Sequence, residues 1–167
     1  MCSSDLGKIV IGGDFTSYAG SPRLRVARLN ADLRLDPSFD TTLGPDGPVF
    51  SVWVQGDGRV LIGGNFTNVA GIARARVARL NEDGSLDVSF DPRGGPDQVV
   101  RSVIGLDDGS AWAAGDFVLV DGFLRAGIVK LNTDGGVDLG FQGGYGTDGS
   151  VNAMSLQPDG KVIIAGS

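Results

Sequence analysis

Two stretches carry oxygen ligands at alternate positions, NEDGSLD at Asn81 to Asp87 and NTDGGVD at Asn132 to Asp138. Calcium loops begin with that spacing, because a hard cation collects carboxylate and carbonyl oxygens. Neither stretch is closed by a bidentate Glu, and the related NADLRLD at Asn30 to Asp36 has no turn glycine, so a hairpin turn is the stronger reading of all three. GYGTDG satisfies G-x-G-x-x-G through Gly144, Gly146 and Gly149, the residues that would cradle a pyrophosphate in a dinucleotide fold. That fingerprint needs a helix after it, whereas the strand-like VNAMSL follows, so it reads as a loop. NFT at Asn65 is formally a glycosylation sequon, but its counterparts are Asp14 and Asp116, which favours a polar role at a turn or strand end. The chain has no histidine, and Cys2 is its single cysteine. Ser-His and Cys-His nucleophiles are therefore absent, as are histidine-based zinc and iron sites. Carboxylate pairs remain open, yet the recurring aspartates sit at turns, where Asp is favoured for bonding its own backbone. No residue is assigned as catalytic, cofactor-binding or metal-binding, and no cofactor is expected.

The elements that carry these residues are repeats. Gly13, Gly64, Gly115 and Gly166 stand 51 residues apart, and so do RLN at Arg28, RLN at Arg79 and KLN at Lys130. DPSF at Asp36, DVSF at Asp87 and DLGF at Asp138 keep the same step. A fixed period of this size marks stacked supersecondary units that cannot bury their apolar faces alone. In the second copy VFSVWV, the Asp57-Gly58 turn and RVLIGG read as strand, turn, strand; RARVARLN supplies a third strand and the stretch to Phe90 a fourth. The expected strands lie near 49–54, 59–64, 74–80 and 86–90, repeated at the same step, with no helical period anywhere. The second strand is apolar on both faces, as in Val60, Leu61 and Ile62, so it must be covered on both sides. A four-stranded sheet between similar sheets is a propeller blade. Phe15, Phe66 and Phe117, with Phe39, Phe90 and Phe141, are expected to fill the space between blades.

Within the glycine pair, the first position becomes Ala114 and Ala165 while the second is always Gly. Gly63 is thus expected to accept alanine, and Gly64 to mark a backbone angle or approach that a Cβ would block. Arg23, Arg74 and Arg125 recur, as do Arg28, Arg79 and Lys130. Pairing of both series with Asp36, Asp87 and Asp138 is preferred over a ligand-reading ring, since opposite charges across strands stabilise sheets.

The string DGRVLIGGNFTNVAG followed by RVARLNEDGSLDVSF resembles the delta-60 repeat, a bacterial β-propeller repeat family, and the resemblance extends from Gly7 onward. It implies a large secreted or surface-attached bacterial protein without an assigned activity. The third copy departs most, at Ala113-Ala114, Lys130 and Gly140, and is expected to be less regular; the first has Leu33 where Gly84 and Gly135 stand. Kelch repeats match less well: they share a period near 50 and a glycine pair, but the tyrosine and tryptophan expected after that pair are missing here.

The resulting expectation is an all-β chain of tandem four-stranded antiparallel β-propeller blades with a 51-residue period, an incomplete fragment of a ring. Residues 1–6 (MCSSDL) fit no part of the pattern and read as a non-native leader, so Cys2 receives no function. The repeats then span 7–46, 47–97, 98–148 and 149–167. A net charge of −6 argues against nucleic acid as the main partner, and no apolar run reaches the roughly 18 residues of a membrane span. The expected role is a non-catalytic binding or scaffolding surface for a protein or glycan ligand, not an enzyme. The alternatives are part of a propeller enzyme whose active site lies on other blades and a calcium-dependent adhesion module. Three blades and a remnant fall short of the four to eight that usually close a ring, so self-association, or contact with the rest of a parent propeller, is expected.

Overall fold

The computed structural model describes residues 2–3, 7–141 and 143–167, with Cys2 and Ser3 as backbone only. Met1 and residues 4–6 of the expected leader lie outside the described residues, as does Gln142. Among the described residues there are only strands, turns and bends, arranged as the repeats of an all-β propeller without a closed ring.

In the second blade the first strand, Val49–Val54, pairs antiparallel with the middle strand, Val60–Gly64, which pairs in turn with the third, Val77–Leu80. The third blade repeats this with Val100–Gly105, Ala111–Gly115 and Ile128–Leu131. It is as regular as the second, down to the register shift near the start of the first strand. The alanines and Lys130 change side chains without touching the ladder. Ile9–Gly12 and Val26–Leu29 represent the first blade, Val151–Leu156 and Val162–Gly166 the fourth. The backbone of Cys2–Ser3 pairs with Val10 and Ile9, in the register that Trp53 and Val54 keep against Leu61 and Val60.

Two features depart from the strand pattern expected above. The fourth strand shrinks to single bridges, Leu86 to Leu80 in the second blade and Val137 to Leu131 in the third. Its length is lost because Asp87 turns back to accept hydrogen bonds from the Ser89 amide (2.9 Å) and hydroxyl (2.6 Å), which bends the chain away from the ladder. The third strand starts at Val77 rather than residue 74 because Arg76 adopts φ +65°, a left-handed angle no ladder accepts. Between the middle and third strands sits a small hairpin, Asn68–Val69 with Ile72–Ala73.

The core lies between blades. Val60 and Ile62 pack toward the first blade with Phe39 and Phe66; Leu61, on the opposite face, packs toward the third with Phe90 and Phe117. These four phenylalanines are fully buried, while Phe15 and Phe141 are half-buried. Each repeat thus supplies half of two cores, which is why one alone could not fold.

Candidate functional site

The recurring charges pair with one another at the corner of each repeat. Arg28 donates through Nε to Asp36 (2.7 Å) and through Nη2 to Ser38 (3.1 Å), and its guanidinium lies 4.7 Å from the centre of the Phe39 ring. Arg79 does the same with Asp87 (2.7 Å) and Phe90 (4.7 Å), and reaches the Gly109 carbonyl of the next blade (3.2 Å). In the third blade Lys130 lies 3.3 Å from Asp138. All three pairs expected from sequence are formed. Burial alone would raise the Asp36 carboxyl, but hydrogen bonds from Lys8, Ser38 and Arg28 outweigh it and hold it well below the usual carboxylate range. Asp87 follows the same balance, burial opposed by Ser89 and Arg79, and is also lowered. Arg28–Asp36 and Arg79–Asp87 latch the first and second blades with both charges buried, while Lys130–Asp138 stays partly exposed.

The Arg23, Arg74 and Arg125 series does not join those aspartates, a correction to the expected pairing. Arg23 lies 3.5 Å from Asp40 and Arg74 3.4 Å from Asp91. Arg23 and Arg74 precede the third strand, at the opposite end from Arg28 and Arg79, next to the corner that follows the latch phenylalanine. The position answering Arg125 is Gln142, outside the described residues; Arg125 donates to the Leu124 carbonyl (2.8 Å).

The calcium-like loops are turns. Asp83 accepts from the Ser85 amide (2.9 Å) and hydroxyl (2.6 Å), and Asp134 from the Gly136 amide (3.0 Å). Among the described residues no group of three or more His, Cys, Asp or Glu side chains could hold a metal ion. Gly144 and Gly146 take left-handed φ in an inter-blade loop that runs into Val151–Leu156, a strand where a nucleotide fold needs a helix. Asn65 is exposed; its counterparts Asp14 and Asp116 hold Arg25 (3.0 Å) and Arg101 (2.6 Å).

The glycine pair is structural as well, with one revision. A Cβ on Gly64 would sit 2.1 Å from the Pro48 carbonyl oxygen, so close backbone approach, not an unusual angle, requires glycine there. A Cβ on Gly63 would meet the methyls of Val100 (2.6 Å) and Val103 (2.7 Å), so alanine is not free at that position as the repeats suggested. Ala114 tolerates its methyl opposite the equivalent residues Val151 and Met154, because methionine is unbranched and yields where valine cannot.

Openings between blades include two among the described residues. One, about 270 Å³, runs between Val10, Ile11 and Phe50; its only side-chain hydroxyl, on Ser51, is engaged by the Val103 amide (3.0 Å). The other, about 220 Å³, lies where the first strands of the second and third blades enter their turns, lined by Trp53, Gln55, Gly105, Leu106, Asp107 and Leu156. Gln55 is 8 % exposed, its Oε1 is enclosed without a partner, and its Nε2 makes no hydrogen bond among the described residues. Asp107 is exposed and forms neither ion pair nor side-chain hydrogen bond among them. Sequence reasoning passed over these residues. The available signal was Gly105, which stands where the other copies carry Val54 and Leu156. A Cβ at Gly105 would fall 2.9 Å from both Gln55 Cγ and Trp53 Cδ1, so the missing side chain is what lets the amide sink.

Residues 7–39, 55–90 and 107–141 match the family described as Domain of unknown function (DUF5122) beta-propeller. The chain belongs to this family. No curated protein matches it. Each matched DUF5122 segment ends on the latch phenylalanine, Phe39, Phe90 or Phe141, so the Arg/Lys–Asp–Phe corner falls inside all three. The DUF5122 repeats therefore account for the recurring residues as architecture, while the Gln55 cleft, built on a single-copy glycine, stands apart from the repeat pattern.

Proposed function

We propose that the chain is a non-catalytic β-propeller segment presenting a binding or scaffolding surface within a larger secreted or surface-attached bacterial protein. The observation that carries this reading is the use of the recurring ionisable groups: Arg28, Arg79, Asp36 and Asp87 are buried in mutual pairs, and the turn aspartates bond their own backbones. A general acid or base needs a group free to exchange a proton with substrate, and these are committed. The resemblance of the repeats to delta-60 sequences supports the secreted or surface setting. Ile163 and Ile164, both exposed on the fourth blade, support contact of that face with further blades or a second copy.

Incubation of the full chain with chromogenic ester, phosphate and glycoside substrates tests the non-catalytic part. No turnover above buffer is expected. Turnover abolished by Asp107→Asn would overturn the reading and place an active site in the cleft. Light scattering across a concentration series tests the contact face: mass rising with concentration, and falling back in Ile163→Lys, is expected.

A further inference from the structure

The Gln55 cleft combines three features that the repeat does not require. It has a side-chain amide more than nine-tenths buried with neither polar atom bonded to protein. It has a carboxylate, Asp107, without a partner among the described residues. And it has Gly105, where the other copies carry Val54 and Leu156, whose missing side chain lets Gln55 and Trp53 close against the backbone. An unpaired buried amide is costly, and such groups in a folded protein call for an explanation.

The occupant that fits can be read from the lining. The last torsion of a glutamine is close to two-fold, so its amide can turn either a donor or an acceptor toward the opening. A hydroxyl both donates and accepts and satisfies either face, and a neighbouring hydroxyl donates to Asp107. Among the described residues no cationic side chain lines the cleft, and the chain carries −6, which disfavours an anionic ligand. Trp53, Leu106 and Leu156 supply apolar wall for the C–H surface of a ring. At about 220 Å³ the cleft is smaller than the roughly 300–1,000 Å³ that hold whole drug-sized ligands, so it suits one ring. We infer that the cleft between the second and third blades is a binding site for a single neutral sugar unit, held through a pair of its hydroxyls by Gln55 and Asp107. This names the ligand class of the binding reading proposed above and rests on it.

Titration of the full, isotope-labelled chain with methyl glycosides of glucose, galactose and N-acetylglucosamine, followed by amide chemical shifts, tests the assignment. Saturable shifts at Gly105, Leu106 and the Gln55 side-chain amide are expected with at least one glycoside, with millimolar dissociation. Gln55→Leu copies the residue that Leu106 places in the next blade, and Gly105→Val copies Val54. Gln55→Leu should keep the thermal midpoint within a few degrees and weaken binding at least about tenfold, the loss of one to two directed hydrogen bonds; Gly105→Val, whose side chain meets Gln55 and Trp53, should weaken binding and also lower the midpoint. n-Butylammonium is the opposing probe: shifts with it and none with any glycoside would make the cleft a pocket for a basic side chain and overturn the assignment. No shift with any probe at about 100 mM, far above a useful affinity, would equally overturn it while leaving the non-catalytic reading intact. Release of free sugar from a bound glycoside would sink the non-catalytic reading instead.

Discussion

The same corner is closed by Arg79, Asp87 and Phe90 in the second blade and by Lys130, Asp138 and Phe141 in the third. The sequence pattern and register agree; the physics does not. Arg79 presents a planar fork, so it can bond Asp87 at 2.7 Å, reach the Gly109 carbonyl and lie over Phe90 at once, with both charged side chains under a tenth exposed. Lys130 is a point charge on a flexible stem: it reaches Asp138 at 3.3 Å, and both side chains stay about a quarter exposed. Phe141, without a guanidinium above it, packs edge-on against Trp112 at 4.7 Å. A repeat can therefore keep its geometry while the energy holding one copy changes by several-fold.

The sharpest test substitutes each cation. Arg79→Met leaves the buried Asp87 with only the half-exposed Arg59, 3.7 Å away, as a counter-charge and should cost up to about 3 kcal/mol, whereas Lys130→Met removes a partly exposed pair and should cost about 1 kcal/mol or less. Denaturant midpoints measure both, and equal losses would erase the distinction between the two corners.

Next in size are the glycines that set the blade-to-blade distance. Gly64→Ala drives a Cβ into the Pro48 carbonyl oxygen within its own sheet, and Gly63→Ala into two valine methyls of the next blade. Overpacking costs of about 1–3 kcal/mol are expected, larger for Gly64 because backbone cannot step aside. Adding Val100→Ala with Val103→Ala should couple favourably to Gly63→Ala in a mutant cycle and leave the cost of Gly64→Ala unchanged; no coupling with Gly63→Ala would contradict the contact assignment.

Acid separates the corners in another way. Asp87 has a folded-state pKa below its unfolded value near 3.9. The folded state thus binds its proton less readily, so its stabilisation is fully present above about pH 4 and fades as pH falls through the lower folded value. The midpoint of urea unfolding should drop between about pH 4 and pH 2, and Asp87→Asn should flatten that limb more than Asp138→Asn. An unchanged slope in Asp87→Asn would show that other carboxylates carry the acid response.

The smallest effect belongs to the turn of the first repeat. Leu33 takes φ +64° where Gly84 and Gly135 stand at +88° and +87°. A Cβ on Gly84 would also meet the Asp40 backbone at 2.8 Å, while Leu33 is largely exposed. Leu33→Gly relieves a left-handed penalty of about 1–2 kcal/mol and loses about 0.5–1 kcal/mol of chain entropy, a net gain of about 0–1.5 kcal/mol by thermal melting. A loss would mean that the Leu33 side chain does more than endure its angle.

Periodicity carried a great deal by itself. The 51-residue step, the apolar middle strand and the Asp-Gly turns were enough to set the all-β repeats, the first and middle strands of the second to fourth blades and the burial of Phe39, Phe66, Phe90 and Phe117, but not the first-strand register of Cys2–Ser3, which fall outside the sequence pattern. They also paired Arg28, Arg79 and Lys130 with Asp36, Asp87 and Asp138, because these contacts are local to one sheet, eight residues apart, and recur with its register. What only the tertiary structure decided lies where different stretches meet. The corner at Asp40 and Asp91, not the strand, answers Arg23 and Arg74. The side chain of Asp87 bends its own chain and ends the fourth strand. Gly63 is constrained by valines 37 and 40 residues further on, and Gln55 is buried by an absent side chain 50 residues away. A repeat pattern records what every blade must do for itself. Packing between particular blades depends on which residues happen to face each other, and only the folded chain brings them together.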